Sequence, residues 1–253
     1  MICEPMARHR GASAICPIMV RVLCLASAAT ALAWGDFRTP KLAKNAKPSK
    51  YALAPPTAAA QGFVIREKLF SISGEDFTIE DEAGQPAFDV VGSNKVPFGL
   101  GGFVLDKLEL RVAGARKICA SIERRAVALA TAYDVYLDGE CIAKIERDVV
   151  SLTPSYKFFY EAENDGNPCY RASGSFSERR YDIYARDGSE VATIGRQLFE
   201  LLEDTKDTYH LRVAAGVDAA AVVALAVVID EDHDEADAKK AKEEKEEGGW
   251  FGR

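Results

Sequence analysis

From Phe63 onward, apolar and polar residues alternate along most of the chain, which is the pattern of strands with one buried face. The alternation is clearest in YDVYLDGECIAKIER (133–147), where Asp138-Gly139 separates two alternating runs. Both residues of an Asp-Gly pair tolerate the positive φ that the tight turn of a two-residue hairpin requires. This segment therefore predicts a β-hairpin.

The same unit occurs a second time as YDIYARDGSEVATIGR (181–196), with eight identical residues after one inserted position. Such an internal repeat indicates a fold assembled from similar hairpins. Roughly ten or more short strands with turn residues between them predict an all-β barrel or sandwich. An antiparallel array of this length must close on itself or cover its edges, because open edges aggregate. Looser copies of the hairpin unit occur at 77–92, with a turn at Ala83-Gly84, and at 108–123, with a turn at Ala113-Gly114. The runs 63–72, 152–162 and 169–176 are interpreted as strands.

One segment, GVDAAAVVALAVVID (216–230), breaks the alternation, because positions 219–229 are apolar without interruption. A membrane span needs about 20 such residues, and a buried strand usually has about four to eight. The alanine-rich composition favours a helix, and Gly216 and Asp218 suit its start. A helix that is apolar all round must be buried all round. We therefore predict a mainly β fold, a closed antiparallel barrel wrapped around this C-terminal helix.

The first 61 residues have the composition of targeting sequences. Arg8 and Arg10 precede an apolar stretch at 22–33 that ends in Ala-Leu-Ala, so a signal peptide is predicted over 1–33. Residues 34–61 are basic and lack a core, which predicts a disordered transit-like or linker segment. Together they resemble the bipartite plastid presequence of algae with secondary plastids. We expect the chain to reach the secretory pathway and then a plastid; secretion is the alternative.

Charge is distributed unevenly along the chain. Residues 1–61 hold eight Lys/Arg and two acids, which leaves 24 basic and 37 acidic residues and a net charge near −13 for the remainder. That balance repels phosphate polyanions and argues against nucleic acid as the partner. The barrel domain is predicted over 62–230, and residues 231–253 form an acidic tail that is disordered or helical.

No catalytic constellation is evident in the sequence. His210, the domain's one histidine, lies in an apparent strand, and P-loop, nucleophile-elbow and zinc-protease motifs are absent. The Gly-rich stretch 97–103 precedes strand-like sequence and is interpreted as a bend. The acidic spacing in 161–168 resembles the start of an EF-hand, but Ala172 stands where a bidentate Glu is needed. We therefore expect no enzyme, no metal and no cofactor.

The domain contains three cysteines, Cys119, Cys141 and Cys169. Their odd number and the absence of a CxxC pair disfavour a disulfide framework or a zinc site. We expect them to be small core residues or thiols outside any disulfide.

These segments resemble the LURP-one-related family, part of the tubby C-terminal-like group that also includes phospholipid scramblases. The resemblance covers 62–230, carried by FVIREKLFSISGEDFTIEDEAGQPAFDV (63–90), the two Asp-Gly units, DTYHLRVAAG (207–216) and ALAVVID (224–230). It implies a twelve-stranded β-barrel around a hydrophobic C-terminal helix. The chain departs from the family's pattern at two places. Members often carry Lys-Trp-Phe ahead of an Asp-Thr-Tyr motif, whereas this chain has no Trp there. Members often have Gly directly after Asp-Thr-Tyr, where this chain has His210.

The family has no well-defined chemistry, and a fold does not by itself determine a function. The resemblance implies a non-enzymatic, tubby-like binding or scaffold module with an unknown protein partner. The alternative is a protein that binds anionic phospholipid or phosphoinositide, or that is scramblase-like. Basic side chains can clamp phosphates, so the candidate headgroup ligands are Arg124, Arg125, Arg179 and Arg180. We expect a monomer with no membrane span in the mature domain.

Overall fold

The computed structural model describes residues 52–67, 76–92, 107–114, 118–125, 130–151, 153–161, 166–175, 180–196 and 208–248. Within these ranges the chain forms twelve β-strands followed by one helix. The strands are β1 (Gln61–Glu67), β2 (Phe77–Asp81), β3 (Pro86–Gly92), β4 (Lys107–Val112), β5 (Ile118–Arg124), β6 (Ala132–Leu137), β7 (Glu140–Arg147), β8 (Ser155–Tyr160), β9 (Tyr170–Ser175), β10 (Arg180–Ala185), β11 (Glu190–Arg196) and β12 (Thr208–Val213). The helix, α1, is Ala219–Gly248.

The twelve strands form one closed barrel. Each strand pairs antiparallel with its neighbours in the sequence, and β1 closes the ring by pairing with β12. Closure leaves no strand with an unpaired edge, which is how the predicted array avoids aggregation. The predicted barrel and the twelve strands implied by the family resemblance are confirmed, and the sandwich alternative is wrong.

Both Asp-Gly units form the predicted hairpins, β6–β7 and β10–β11. In the first, Asp138 and Gly139 have φ angles of 51° and 86°, as this two-residue turn requires. The pairing register shifts after Val135 in the first hairpin and after Ile183, the equivalent position, in the second. The repeat thus reproduces a β-bulge as well as a turn, and bulges add the local twist that helps a sheet to curve.

The predicted buried helix is confirmed over its apolar residues, and the helix is longer than predicted. Residues 219–229 are each at most 7% exposed and share one apolar cluster with strand residues such as Leu108 and Phe158. The helix does not end near residue 230, where the apolar run stops, but continues to Gly248. The acidic segment, predicted as disordered or helical, is therefore helical up to that residue.

The helix lies between opposite walls of the barrel. Ala226 lines a small gap together with Ile65 of β1 and Phe77 of β2, whereas Asp218 is bonded to β8. Counted around the ring, β8 is six strands away from β2. Contacts to both walls mean that strands surround the buried half of the helix.

The two ends of the barrel differ in what they carry. One end, the turn rim, holds the hairpin turns β2–β3, β4–β5, β6–β7 and β10–β11 and the start of α1. Because strands alternate in direction, the β1–β2, β3–β4, β5–β6, β7–β8, β9–β10 and β11–β12 connections lie at the other end. There Asp232 of α1 contacts Thr131, Arg147 and Tyr156, which adjoin these connections. We name this end the exit rim, because α1 leaves the barrel through it.

Residues 52–60 pack against the barrel, upstream of the predicted domain start at residue 62. Leu53 is 8% exposed, and its N–H and that of the next residue donate hydrogen bonds to Asp218. The composition of 34–61 predicted a disordered segment, whereas its last residues contribute a core side chain. One leucine among Ala and Pro produces no periodicity, so the pattern could not reveal this contact.

Several predictions concern residues outside the described ranges and stay predictions. They fall on residues 1–51, on the Gly-rich stretch 97–103, on Arg179 and on residues 249–253 of the acidic tail. Among the described residues, no helix combines the length and the apolar character that crossing a bilayer requires.

Candidate functional site

Asp218 is a buried carboxylate at the turn rim. Its Oδ1 accepts hydrogen bonds from the N–H groups of Ala220 at 3.1 Å and Ala221 at 3.3 Å, so it is the helix N-cap that the sequence predicted. Its Oδ2 accepts from the Leu53 N–H at 2.6 Å and the Tyr160 hydroxyl at 2.8 Å. We name Asp218, Leu53 and Tyr160 the N-terminal lock, because one carboxylate joins the helix, the upstream segment and β8.

Burial controls the protonation of this lock. It raises the pKa of Asp218 above its usual range, while the hydrogen bonds from Tyr160 and the backbone act in the opposite direction. Burial also raises the pKa of Tyr160, and the nearby Asp218 carboxylate adds to that shift. The Tyr160 hydroxyl therefore keeps its proton and remains a donor to Asp218.

Asp232 anchors the helix at the exit rim, where it is 4% exposed. It accepts hydrogen bonds from the Tyr156 hydroxyl at 2.6 Å, from the Arg147 guanidinium at 2.9 Å and from the Thr131 hydroxyl. A buried carboxylate is costly unless it is paired and hydrogen-bonded, and these three donors meet that need. We name Asp232, Tyr156, Arg147 and Thr131 the C-terminal lock. Burial raises the pKa of Tyr156, and its hydrogen bond to Asp232 adds to the effect.

Little volume is left between α1 and the described part of the wall beside β1, β2, β11 and β12. A gap of about 10 Å³ is lined by Ile65, Phe77, Tyr209 and Ala226, among others. That volume corresponds to about one water molecule. The helix thus occupies the space in which other barrels hold an internal ligand.

The structure brings the arginine candidates to one end of the barrel but not to one place. Arg124 ends β5 and Arg180 begins β10, so both lie at the exit rim, yet four strands, β6 to β9, lie between them around the ring of twelve. Arg125 donates to the Asp134 carboxylate at 2.8 and 2.9 Å, and Arg180 donates to Asp182 at 2.7 Å. These two guanidinium groups already have carboxylate partners, and Arg179 lies outside the described residues.

His210 lies in β12, the strand that the sequence predicted for it, and is 3% exposed. Burial lowers its pKa to about 4, and Arg66 and Arg212 contribute in the same direction. The imidazole is therefore neutral at neutral pH. A group with so low a pKa is poorly matched to general acid–base catalysis near pH 7, which works best when the pKa lies close to the operating pH.

Sequence reasoning missed the C-terminal lock and an exposed apolar pair. Asp232 stands within an acidic run, so its residue type did not distinguish it from its solvated neighbours. Val149 and Val150 are 67% and 86% exposed in the β7–β8 loop at the exit rim. In the sequence, a Val-Val pair between Asp148 and Ser151 resembles the continuation of a strand. Only the structure identifies it as the tip of a loop.

The cysteines and the described acidic residues offer no metal centre. Cys119 is buried, Cys169 is half-buried and Cys141 is exposed, and none of the three is in a disulfide. Burial raises the pKa of Cys141, as does Asp134, so its thiol is less readily ionised than an ordinary one. Within the ranges that the structure describes, no group of three His, Cys, Asp or Glu is placed to hold a metal ion.

Comparison with known proteins identifies the family. The family model described as LURP-one-related matches residues 61–230. An X-ray structure of a protein from Arabidopsis thaliana is similar to this chain with a TM-score of 0.51 and 21% identity, covering 71% of this chain and 96% of that one. At this identity the likeness concerns the fold. The comparison with curated proteins gives no match. The match over 61–230 spans more than half of the sequence, and the chain therefore belongs to the LURP-one-related family.

Proposed function

We propose that this protein is a non-enzymatic binding module that engages a protein partner on the outer surface of its barrel. The observation that carries the proposal is the occupied lumen: eleven consecutive apolar residues of α1, 219–229, are buried among the strands. Among the residues that the structure describes, a barrel filled in this way leaves no room for an internal ligand, which favours recognition on the rims and the outer wall.

The polar groups of the two locks support the same proposal. The carboxylates of Asp218 and Asp232 and the hydroxyls of Tyr160 and Tyr156 are hydrogen-bonded to one another across the helix–barrel contact. Groups that could act as acid or base in another protein hold the helix in place here. Their arrangement favours a rigid scaffold over a reaction centre.

Site-specific photo-crosslinking in the native cell tests the proposal. A photoreactive residue is placed at Asp187 on the turn rim, at Glu140 beside the β6–β7 turn, or at Val150 on the exit rim; all three positions are exposed. We expect a discrete protein adduct from at least one position. Absence of any adduct from all three, together with substrate turnover by the purified chain, would overturn the proposal.

The second candidate function is binding of anionic phospholipid. It is favoured by one observation, that strand direction brings Arg124, the last residue of β5, and Arg180, the first residue of β10, to the same rim. Vesicle flotation with and without phosphoinositide tests it, with paired alanine substitutions at Arg124/Arg125 and at Arg179/Arg180. Flotation that requires both phosphoinositide and the arginines would make lipid binding the function and displace the protein-partner proposal. No flotation would eliminate it.

We also propose that residues 1–61 deliver the chain to a plastid by way of the secretory pathway. The support is the composition of residues 1–33 and 34–61, which is typical of a signal peptide followed by a transit-like segment. A fluorescent fusion of residues 1–61 tests this destination. Fluorescence confined to a plastid supports it, and secreted or diffuse cytosolic fluorescence contradicts it.

A further inference from the structure

A short stretch upstream of β1 is attached at two points to the connection between β12 and α1. At the first point, the N–H groups of Leu53 and of the next residue donate to the two oxygens of the Asp218 carboxylate at 2.6 and 3.1 Å. At the second, the Gly216 N–H donates to the Thr57 carbonyl at 2.8 Å. We name residues 53–57 the rim strap, because they join the turn rim to the start of the helix.

The rim strap also contributes to the core. Leu53 is 8% exposed and belongs to the same apolar cluster as the helix residues 219–229, and Ala54 packs against that cluster while partly exposed. An apolar side chain that is removed from water stabilises the position that it occupies. Apolar and polar contacts therefore hold the rim strap at the same place.

Two prolines lie between the attachment points. The rings of Pro55 and Pro56 fix φ near −65°, so this stretch has less conformational entropy to lose when it becomes ordered. Proline also has no N–H that would need an acceptor at the rim. The composition that predicted a disordered segment therefore also suits a strap on a folded domain.

Removal of the rim strap would weaken the start of the helix that fills the barrel. Asp218 is 4% exposed, and two of the backbone N–H groups that donate to its carboxylate come from the strap. A buried carboxylate that loses its donors is costly. The Gly216 N–H would lose its acceptor in the same event. A chain cut downstream of Leu53 would therefore be less stable than one cut upstream of it.

We propose that any proteolytic removal of the N-terminal targeting sequence ends upstream of Leu53, so that the mature protein keeps the rim strap. The folded domain then begins at Leu53 and not at the predicted boundary, residue 62. The existence of a cut rests on the proposed delivery of the chain to a plastid. The strap itself rests on the contacts of Leu53, Thr57 and Asp218.

The N-terminus of the protein purified from the native cell tests this limit. Free α-amino groups are labelled before digestion, and the labelled N-terminal peptide is identified by mass spectrometry. We expect the first residue of the mature chain to lie downstream of the predicted signal peptide, 1–33, and no later than Leu53. A folded product that begins downstream of Leu53 would overturn the proposal.

Hydrogen exchange of the full chain tests the strap without any cut. The amide hydrogens of Leu53 and Ala54 are bonded to a buried carboxylate. They should exchange at least about tenfold more slowly than the same amides in a synthetic peptide of residues 48–60. Exchange at the rate of the peptide would mean that the strap is not attached, and would overturn the proposal.

A substitution in the full chain tests the contribution of the buried leucine. Leu53→Ser removes a core side chain, and the matched control Val150→Ser removes an apolar side chain that is 86% exposed. In urea unfolding, Leu53→Ser should raise the equilibrium constant for unfolding by about tenfold or more, while the control should leave it nearly unchanged. Equal constants for the two variants would overturn the proposal.

The outcomes distinguish the strap from the proposed delivery. A chain from the native cell that begins at Met1 or at Trp34 supports the limit, because it keeps the strap, but it contradicts delivery to a plastid, because the transit-like segment is still attached. A plastid product that begins downstream of Leu53 has the opposite meaning. It overturns the strap and leaves the proposed delivery standing.

Discussion

Asp218 is the residue whose removal should loosen the helix most. The substitution Asp218→Ala deletes an N-cap, which typically costs about 1 kcal/mol. It also leaves the Leu53 N–H and the Tyr160 hydroxyl without their acceptor. Tyr160 is only 2% exposed. Each stranded buried donor costs about 1–3 kcal/mol. We expect the free energy of unfolding to fall by about 3–7 kcal/mol, a large part of the roughly 5–15 kcal/mol of a typical domain.

The assay is urea unfolding of the full chain followed by far-ultraviolet circular dichroism, with linear extrapolation to water. The matched control is Asp187→Ala, which removes an acceptor of the Ser189 N–H and hydroxyl in an exposed turn. Water replaces an exposed acceptor, so this control should lose about 1 kcal/mol or less. If Asp218→Ala loses no more than Asp187→Ala, the N-terminal lock does not stabilise the fold as argued.

A double-mutant cycle separates the lock from unrelated effects. Tyr160→Phe alone removes one donor to Asp218, whereas in the Asp218→Ala background the same change removes a hydroxyl that has already lost that acceptor. The two substitutions should therefore be coupled by about 0.5–3 kcal/mol. Strict additivity would mean that the 2.8 Å contact contributes nothing.

Three further predictions follow from the buried helix and its wall. Leu225→Asp places an unpaired charge at a 0% exposed position, so the chain should not fold. The control Val150→Asp changes an exposed position and should fold normally. A soluble Leu225→Asp variant that unfolds cooperatively would refute the buried helix. Asp232→Asn replaces the anionic partner of Arg147. Because a hydrogen bond to a charged group contributes about 1.5–3 kcal/mol, the unfolding free energy in the urea assay should fall by about 2 kcal/mol. Wild-type stability would contradict the C-terminal lock. Because the pKa of His210 is about 4 in the folded chain and about 6.5 unfolded, wild-type stability should fall as the pH drops from about 6.5 to about 4, by up to about 3 kcal/mol. The variant His210→Gln should lack this decline in stability. Identical stability profiles of the wild type and the variant over this pH range would refute the prediction.

The hairpins were predictable because their determinants are local. Positive φ at Asp138 and Gly139 follows from the two residue types themselves, and period-two alternation identifies the strands on either side. The helix was predictable because an unbroken apolar run of eleven residues fits neither a strand nor a membrane span. Its extension to Gly248 was open, because a segment dense in Glu and Lys is compatible with both a solvated helix and disorder.

The locks were not predictable, because their partners are distant in the sequence. Thr131 and Asp232 are 101 residues apart, and Tyr156 and Asp232 are 76 apart. Each of these residues has an ordinary alternative role in its own segment. Only the closure of the ring fixes which loop meets which turn of the helix.

The arginine candidates illustrate the same dependence on strand number. Arg124 is the last residue of β5 and Arg180 the first of β10, and an odd-numbered strand ends where an even-numbered strand begins. One strand more or fewer between them would have put these two residues at opposite ends. The sequence supplied the residue types, but their shared rim depends on an exact strand count that the pattern left at roughly ten or more.

The barrel's construction also determines where function can vary. Side chains that point inward are constrained by α1, since a change at Leu108 or Phe158, both 0% exposed, leaves a cavity or a clash against the helix. The tip of the β7–β8 loop carries no such constraint, because Val149 and Val150 are 67% and 86% exposed. For this reason the family fold can be assigned from the core pattern, while the proposed partner must be sought on the outer surface.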